Sequence, residues 1–155
     1  MSKIVRNFNG VTLIELIAAM AIISILATGI LPLSVITYKR TKEIELKQNL
    51  RIIRKAIDEY KRLVDEDKIE KDALASGYPK DLDVLVQGVT LKGPVPKKVK
   101  FLRRIPKDPM TEEGEWGLRS YADDPDSDIW GGQDVYDVYS TSDKEALDGT
   151  YYRDW

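Results

Sequence analysis

The chain has 155 residues and a mass of 17.6 kDa, which is enough for one globular domain beside an extended N-terminal segment. It contains no cysteine and no histidine, and its formal net charge is −2. Disulfides, thiolate or imidazole metal ligands, Ser-His and Cys-His catalysis and the usual neutral-pH general base are therefore excluded.

The charge is unevenly distributed. From Tyr38 to Lys107 there are 19 Lys+Arg against 11 Asp+Glu, whereas from Asp108 to Trp155 there are 3 against 14. Such asymmetry suits a solvated basic helix face, a basic nucleic-acid face or an acidic cation site, and it also lets the two halves attract one another between stacked copies.

In chain order, Met1 to Gly10 is short and polar, with Lys3 and Arg6 as its only charged side chains. Val11 to Ile36 follows as an apolar run with a single charge, Glu15. A hydrocarbon core takes about 20 helical residues to cross, so the run is long enough. A carboxylate within it costs on the order of a few kcal/mol unless it is paired or lies near the interface, so Glu15 asks for a partner cation. A secretory signal would place its small-residue cleavage site after the apolar run; here Gly10 precedes it.

Beyond Ile36 the pattern turns amphipathic. Leu46, Leu50, Ile53, Ile57, Tyr60 and Val64 fall at steps of four and three and form one helical stripe, with charged residues covering the other faces. The reading is one long helix from about Val11 to about Val64, roughly 80 Å at the standard rise. Pro32 lacks an amide hydrogen and crowds the carbonyl of Thr28, and Gly29 weakens the same turn, so a kink or local opening is expected there.

Past the helix, Ser76-Gly-Tyr-Pro79 punctuates the chain. Pro79 to Val86 reads as a short helix stopped by Gly88, Gly88 to Lys100 as a loop, and Val99 to Ile105 as a strand. Trp116 to Tyr121 and Val135 to Ser140 alternate like two strands of a small antiparallel sheet around an acidic loop, Ala122 to Asp134. Trp116, Tyr121, Trp130, Tyr136, Tyr139, Tyr151, Tyr152 and Trp155 are expected to fill the core between sheet and helix. Asp123, Asp124, Asp126 and Asp128, broken by Pro125, offer a second candidate cation loop, but read chiefly as a solvated surface loop facing the basic helix of a neighbouring copy rather than as catalytic carboxylates. The basic helix face lacks interleaved aromatics and a recognised nucleic-acid fold, so no nucleic-acid partner is expected.

The N-terminal residues carry a resemblance. A short basic leader, Gly10, a hydrophobic Val11, then Thr12-Leu-Ile-Glu15-Leu16 and an apolar helix resemble the prepilin-type leader of type IV pilins and type II secretion pseudopilins, with Val11 where the family more often has Phe. Tyr78-Pro-Lys-Asp-Leu-Asp-Val-Leu, Phe101-Leu-Arg-Arg-Ile-Pro-Lys-Asp-Pro109, Trp116-Gly and Asp137-Val-Tyr-Ser140 look like the major (G subunit) pseudopilin, with Met110 where an aromatic residue is frequent. The absence of cysteine separates the chain from pilins that close their C-terminal region with a disulfide.

The resemblance implies an α+β, pilin-like fold: one long N-terminal helix, membrane-spanning in its first half, packed on a small antiparallel β-sheet domain. The implied divisions are a leader 1–10, a transmembrane and polymerisation helix 11–36 and a periplasmic globular domain 37–155. It implies cleavage between Gly10 and Val11 by a prepilin peptidase, N-methylation of Val11, and pairing of Glu15 with the Val11 ammonium of a neighbouring subunit. Pro32 matches a family proline before which the helix melts on assembly.

The implied role is a structural, non-catalytic subunit of a pseudopilus driving protein export across the outer membrane. Its expected partners are copies of itself, minor pseudopilins, the inner-membrane assembly platform with its ATPase, the outer-membrane secretin and membrane lipid. The expected location is the bacterial inner membrane, single-pass, with the C-terminal domain periplasmic. Lys39, Arg40 and Lys42 beyond the span argue against this orientation by charge, so it rests on the leader. A type IV pilin and an anchored, non-polymerising periplasmic binding domain are the alternatives. The resemblance also implies Ca²⁺, for which Asp137, Ser140, Asp143 and Asp148 are the ligand types present, with Ser142 and Lys144 departing from the family pattern.

Overall fold

The computed structural model describes residues 10–155 except 73–74, and the side chains of all of these except 28–33. Residues 1–9, most of the segment expected to be a leader and including Lys3 and Arg6, lie outside the described residues. The chain forms two compact units, Met1–Lys39 and Arg40–Trp155.

A single helix, α1, runs from Leu13 to Asp65, close to the bounds expected from the periodicity. It is continuous across Thr28 to Pro32: one proline removes one backbone hydrogen bond without ending the element. The side chains expected to open the helix there lie outside those described. The end of α1 is a Schellman turn, in which the amide of Lys68 donates to Leu63 O and that of Asp67 to Val64 O, both at 2.9 Å. Asp67 takes the left-handed position, φ 55°, that glycine usually fills.

In the second unit the apolar stripe of α1 becomes one wall of the core. Leu46, Leu50, Ile53 and Ile57 are buried with Leu85, Leu102, Val135, Val138 and Tyr152. A smaller cluster of Leu63, Val64 and Ile69 lies beneath Val89, Leu91, Val99 and Phe101. Helix α2 is a single turn, Asp83–Gln87, shorter than the expected Pro79 to Val86. Its first turn is held by the Asp81 carboxylate, which accepts from the Val84 amide at 2.9 Å. Gly88 stops it at φ 79°, where a Cβ would stand 2.4 Å from Val99 O, so no other residue fits.

Two antiparallel hairpins complete the domain. Strands β1 (Val89–Leu91) and β2 (Lys97–Val99) pair Val89 with Val99, where the sequence reads as loop. The Gly93-Pro94-Val95-Pro96 tip obscures two three-residue strands whose alternate side chains cover the smaller cluster. The strand expected from Val99 to Ile105 does not continue past Val99. The amides of Phe101 and Leu102 instead both donate to Leu85 O at 3.0 Å, closing the end of α2. Strands β3 (Trp116–Arg119) and β4 (Asp137–Ser140) pair as expected, Trp116 with Ser140 and Arg119 with Asp137.

Gly117 faces Tyr139 across this second hairpin, and the tyrosine ring lies over it; a Cβ there would come within 2.3 Å of the ring. The Arg119 guanidinium stacks 4.2 Å from the other partner of the pair, the Tyr139 ring centroid. The expectation that the C-terminal aromatics all fill the core needs correction. Tyr139 and Tyr152 are buried, while Tyr121, Trp130, Tyr136 and Tyr151 are exposed. Tyr121 and Tyr136 instead pack with Tyr78 at the surface, with ring centroids 5.1–5.7 Å apart. The physical reason is that the core is already closed by aliphatic side chains from α1, α2 and β4.

Candidate functional site

The first candidate site is the start of α1. Thr12 precedes the helix, and its hydroxyl accepts from the Glu15 amide at 3.3 Å, while Leu16 N donates to Thr12 O at 3.1 Å. Thr-x-x-Glu before an apolar run is the signature of a capping box, and Glu15 also places negative charge in the first turn, where the helix dipole favours it. The Thr12 to Glu15 spacing therefore carries a helix cap as well as a resemblance to the prepilin leader. Beyond it, every large aliphatic side chain from Val11 to Leu26 is between 52% and 78% exposed. A helix apolar on all sides ordinarily lies in a protein core or in lipid. Among the described residues no helix is long and apolar enough to cross a membrane; the expected span 11–36 includes the side chains of 28–33, which lie outside them.

The second candidate site is the β4 end of the globular unit. The sequence brought Asp137, Ser140, Asp143 and Asp148 together as oxygen ligands; the structure gives each an internal partner. Asp137 forms a bidentate ion pair with Arg54, Nε to Oδ1 at 2.7 Å and Nη2 to Oδ2 at 3.1 Å. The same Nη2 donates to Val138 O at 3.1 Å and Trp155 O at 2.9 Å, so one guanidinium clamps α1 to β4 and to the C-terminal segment. The buried Ser140 hydroxyl donates to Asp108 Oδ2 at 2.6 Å. Asp143 is exposed and lies 3.3 Å from Arg153. Asp148 accepts from the amide and hydroxyl of Thr150, which hold its carboxyl below the usual carboxylate range.

As they stand these donors do not fit Ca²⁺, which needs six to eight oxygens converging on one point. Among the described residues no cluster of three or more acidic side chains is arranged to hold a metal ion. A cation at Asp137 would have to displace Arg54. Arg54→Met, which keeps the stem and removes the charge, is expected to lower the stability of the unit by about 1–3 kcal/mol, because it strands the half-buried Asp137 carboxylate and two carbonyls. Wild-type thermal unfolding is expected to have the same midpoint in excess Ca²⁺ as in chelator. A midpoint several degrees higher in Ca²⁺ would assign the cation to these residues.

Arg54 and Asp108 are the residues that sequence reasoning missed here. Asp108, buried, accepts from Met110 N at 2.8 Å as well as from Ser140. Its Asp-Pro dipeptide marks a turn, but nothing local reveals the distant serine.

A third polar anchor joins helix and tail. The Tyr152 hydroxyl donates to Glu43 Oε1 at 2.9 Å, and the same oxygen accepts from Leu147 N at 2.8 Å. Burial, reinforced by the bond to Glu43, pushes the Tyr152 phenol above its ordinary range. A raised folded-state value means that stability is fully present below the unfolded tyrosine value, about 10, and is lost as pH climbs beyond it toward the folded value. Tyr152→Phe is expected to cost about 1–2 kcal/mol at neutral pH and to flatten the loss of stability between roughly pH 10 and 11 relative to wild type, read by thermal unfolding across that range.

The α+β arrangement, a long N-terminal helix with small antiparallel sheets, is consistent with a pilin-like protein. Residues 5–31 match the Prokaryotic N-terminal methylation motif, the signal of the type IV pilin and pseudopilin class. No curated protein matches the chain, and no solved structure does. The match takes in residues 5–10 of the segment expected to be a leader, the Thr12 cap, Glu15 and the whole exposed apolar stretch from Val11 to Leu26.

Proposed function

We propose that this chain is a structural subunit of a type II secretion pseudopilus, polymerising through its N-terminal helix to drive protein export across the outer membrane. The observation that carries the reading is the coincidence of the methylation motif at residues 5–31 with a capped helix whose large aliphatic side chains are exposed from Val11 to Leu26. Apolar surface of that extent calls for lipid before assembly and for like helices after it.

In this reading a prepilin peptidase cuts between Gly10 and Val11 and the new amine is N-methylated. Helix 11–36 anchors the subunit in the inner membrane with the globular unit in the periplasm. The platform ATPase, minor pseudopilins and secretin complete the machine, and the subunit itself performs no catalysis. The absence of cysteine favours a pseudopilus over a disulfide-closed type IV pilin.

Mass spectrometry of the full-length protein purified from its own membranes tests the reading. The expected N-terminus is Val11 carrying one methyl group; a mature protein that retains Met1 would overturn it. Deletion separates the two fibres: loss of secreted proteins supports the pseudopilus, and loss of surface filaments with secretion intact supports the pilus.

A further inference from the structure

Two surfaces of the globular unit carry charges that enter no ion pair among the described residues, and their chemistries match. On α1, Ile44, Lys47, Gln48, Arg51, Ile52 and Lys55 line a shallow groove of about 590 Å³. Their spacing places them on the helix face opposite the buried stripe of Leu46, Leu50, Ile53 and Ile57. The groove combines three cations with two aliphatic side chains in water, Ile44 at 61% and Ile52 at 40% exposure. Lys47, Arg51 and Lys55 take part in none of the ion pairs among the described residues, although the Lys47 ammonium rests 4.0 Å from the Trp155 ring centroid, so Arg51 and Lys55 are the cations most open to a neighbour.

The second surface is the connection between β3 and β4. It is tied from within: Asp123 Oδ2 accepts from Ser120 N at 2.7 Å and Gly131 N at 3.0 Å, which holds that carboxyl below the usual carboxylate range. Asp128 pairs with Arg153, and the Trp130 indole donates to Asp134 O at 2.7 Å. With those groups committed to bonds within the unit, Asp124 and Asp126 are exposed and in no ion pair among the described residues, and Ile129 projects at 81% exposure. The result is a braced acidic knob with an aliphatic side chain beside it.

We infer that the β3–β4 knob of one copy docks on the basic face of α1 of the next, Asp124 and Asp126 meeting Lys47, Arg51 and Lys55 while Ile129 enters between Ile44 and Ile52. This rests on the filament reading and deepens it by naming the contact between globular units. Opposite charge selects the partner and the orientation, and the aliphatic contact adds burial. Because knob and groove are different surfaces, the contact is heterologous and leaves one of each unsatisfied at the ends. That is the requirement for an open polymer rather than a closed dimer.

The chain lacks cysteine, so a cross-link reports on this contact alone. The double variant Gln48→Cys, Pro125→Cys keeps every charge of both surfaces. In membranes containing the processed full-length protein, mild oxidation is expected to convert it into a ladder of trimers and longer species, with each single variant stopping at dimers or monomers. Arg51→Glu with Lys55→Glu is expected to reduce sedimentable polymer at least tenfold, and adding Asp124→Lys with Asp126→Lys in the same chain is expected to restore it. Polymer that forms normally without the ladder, or is indifferent to the charge reversal, would overturn the contact and leave the filament reading standing. A wild-type protein that is processed and yet never sediments would overturn both. Cross-linking that stops at dimers in the double variant would mean an isologous contact and would also overturn the proposal.

Discussion

Glu15→Ala is expected to leave the protein inserted in membranes and its helix start intact, while the yield of sedimentable filament falls at least tenfold. The two halves of this expectation have separate causes. The cap is made by the Thr12 hydroxyl and the backbone amide of residue 15, and an alanine keeps that amide. The loss at the helix start is therefore confined to the interaction of one carboxylate with the helix dipole, a few tenths of a kcal/mol up to about 1. Assembly is different. If the Val11 ammonium of one subunit is buried against the Glu15 carboxylate of another, removing the carboxylate strands a charge in low dielectric. That costs several kcal/mol per subunit, and each 1.4 kcal/mol is about a factor of ten in association. The measurements are carbonate extraction for insertion and pelleting for polymer. Thr12→Ala provides the contrast, since it removes the cap and keeps the carboxylate; it is expected to assemble far better than Glu15→Ala. Wild-type filament yield from Glu15→Ala would sink the idea that this carboxylate sets the subunit register.

Ile53→Ala is expected to destabilise the globular unit by about 2–5 kcal/mol, and Ile52→Ala, one residue earlier, by no more than about 0.5. Ile53 is fully buried in the main cluster at the centre of the α1 stripe, whereas Ile52 is 40% exposed on the opposite face. Truncating Ile53 removes apolar burial and leaves a cavity between α1, α2 and β4 that rigid neighbours fill only in part. A domain of this size is typically stable by only about 5–15 kcal/mol, so the substitution lowers the thermal midpoint by many degrees. Equal midpoints for the two variants would mean that the stripe does not form the core. The pair also separates stability from association, because Ile52 lies in the groove proposed to receive the neighbouring copy. Ile52→Ala is expected to weaken filaments without weakening the fold.

Much of this was legible because it is periodic or local. The stripe from Leu46 to Val64 repeats at the helical step, and each of its aliphatic members is buried. The end of α1 near Val64, the stop at Gly88 and the β3–β4 pair were readable from propensity and turn chemistry for the same reason. The β1–β2 hairpin was not, because two strands of three residues carry almost no periodic signal and their Gly-Pro tip resembles any loop. The strand expected from Val99 to Ile105 failed on competition for backbone groups. The amides of Phe101 and Leu102 are spent on Leu85 O, a demand that arises only once α2 is in place.

The candidate sites divide along the same line. The processing motif, the Thr12 cap and the apolar helix are properties of contiguous residues, and the chain's own order specifies them whatever the rest of the molecule does. The partners of Asp137 and Ser140 are a matter of folding. Arg54 lies 83 positions from Asp137, and Asp108 lies 32 from Ser140, and in each case a carboxylate was claimed by the donor that chain packing brought to it. Composition supplies the acids and bases, but a carboxylate is held by the donor that the packed fold places beside it in three dimensions. That is why ligand-type residues close in sequence became an arginine clamp and a buried hydroxyl anchor.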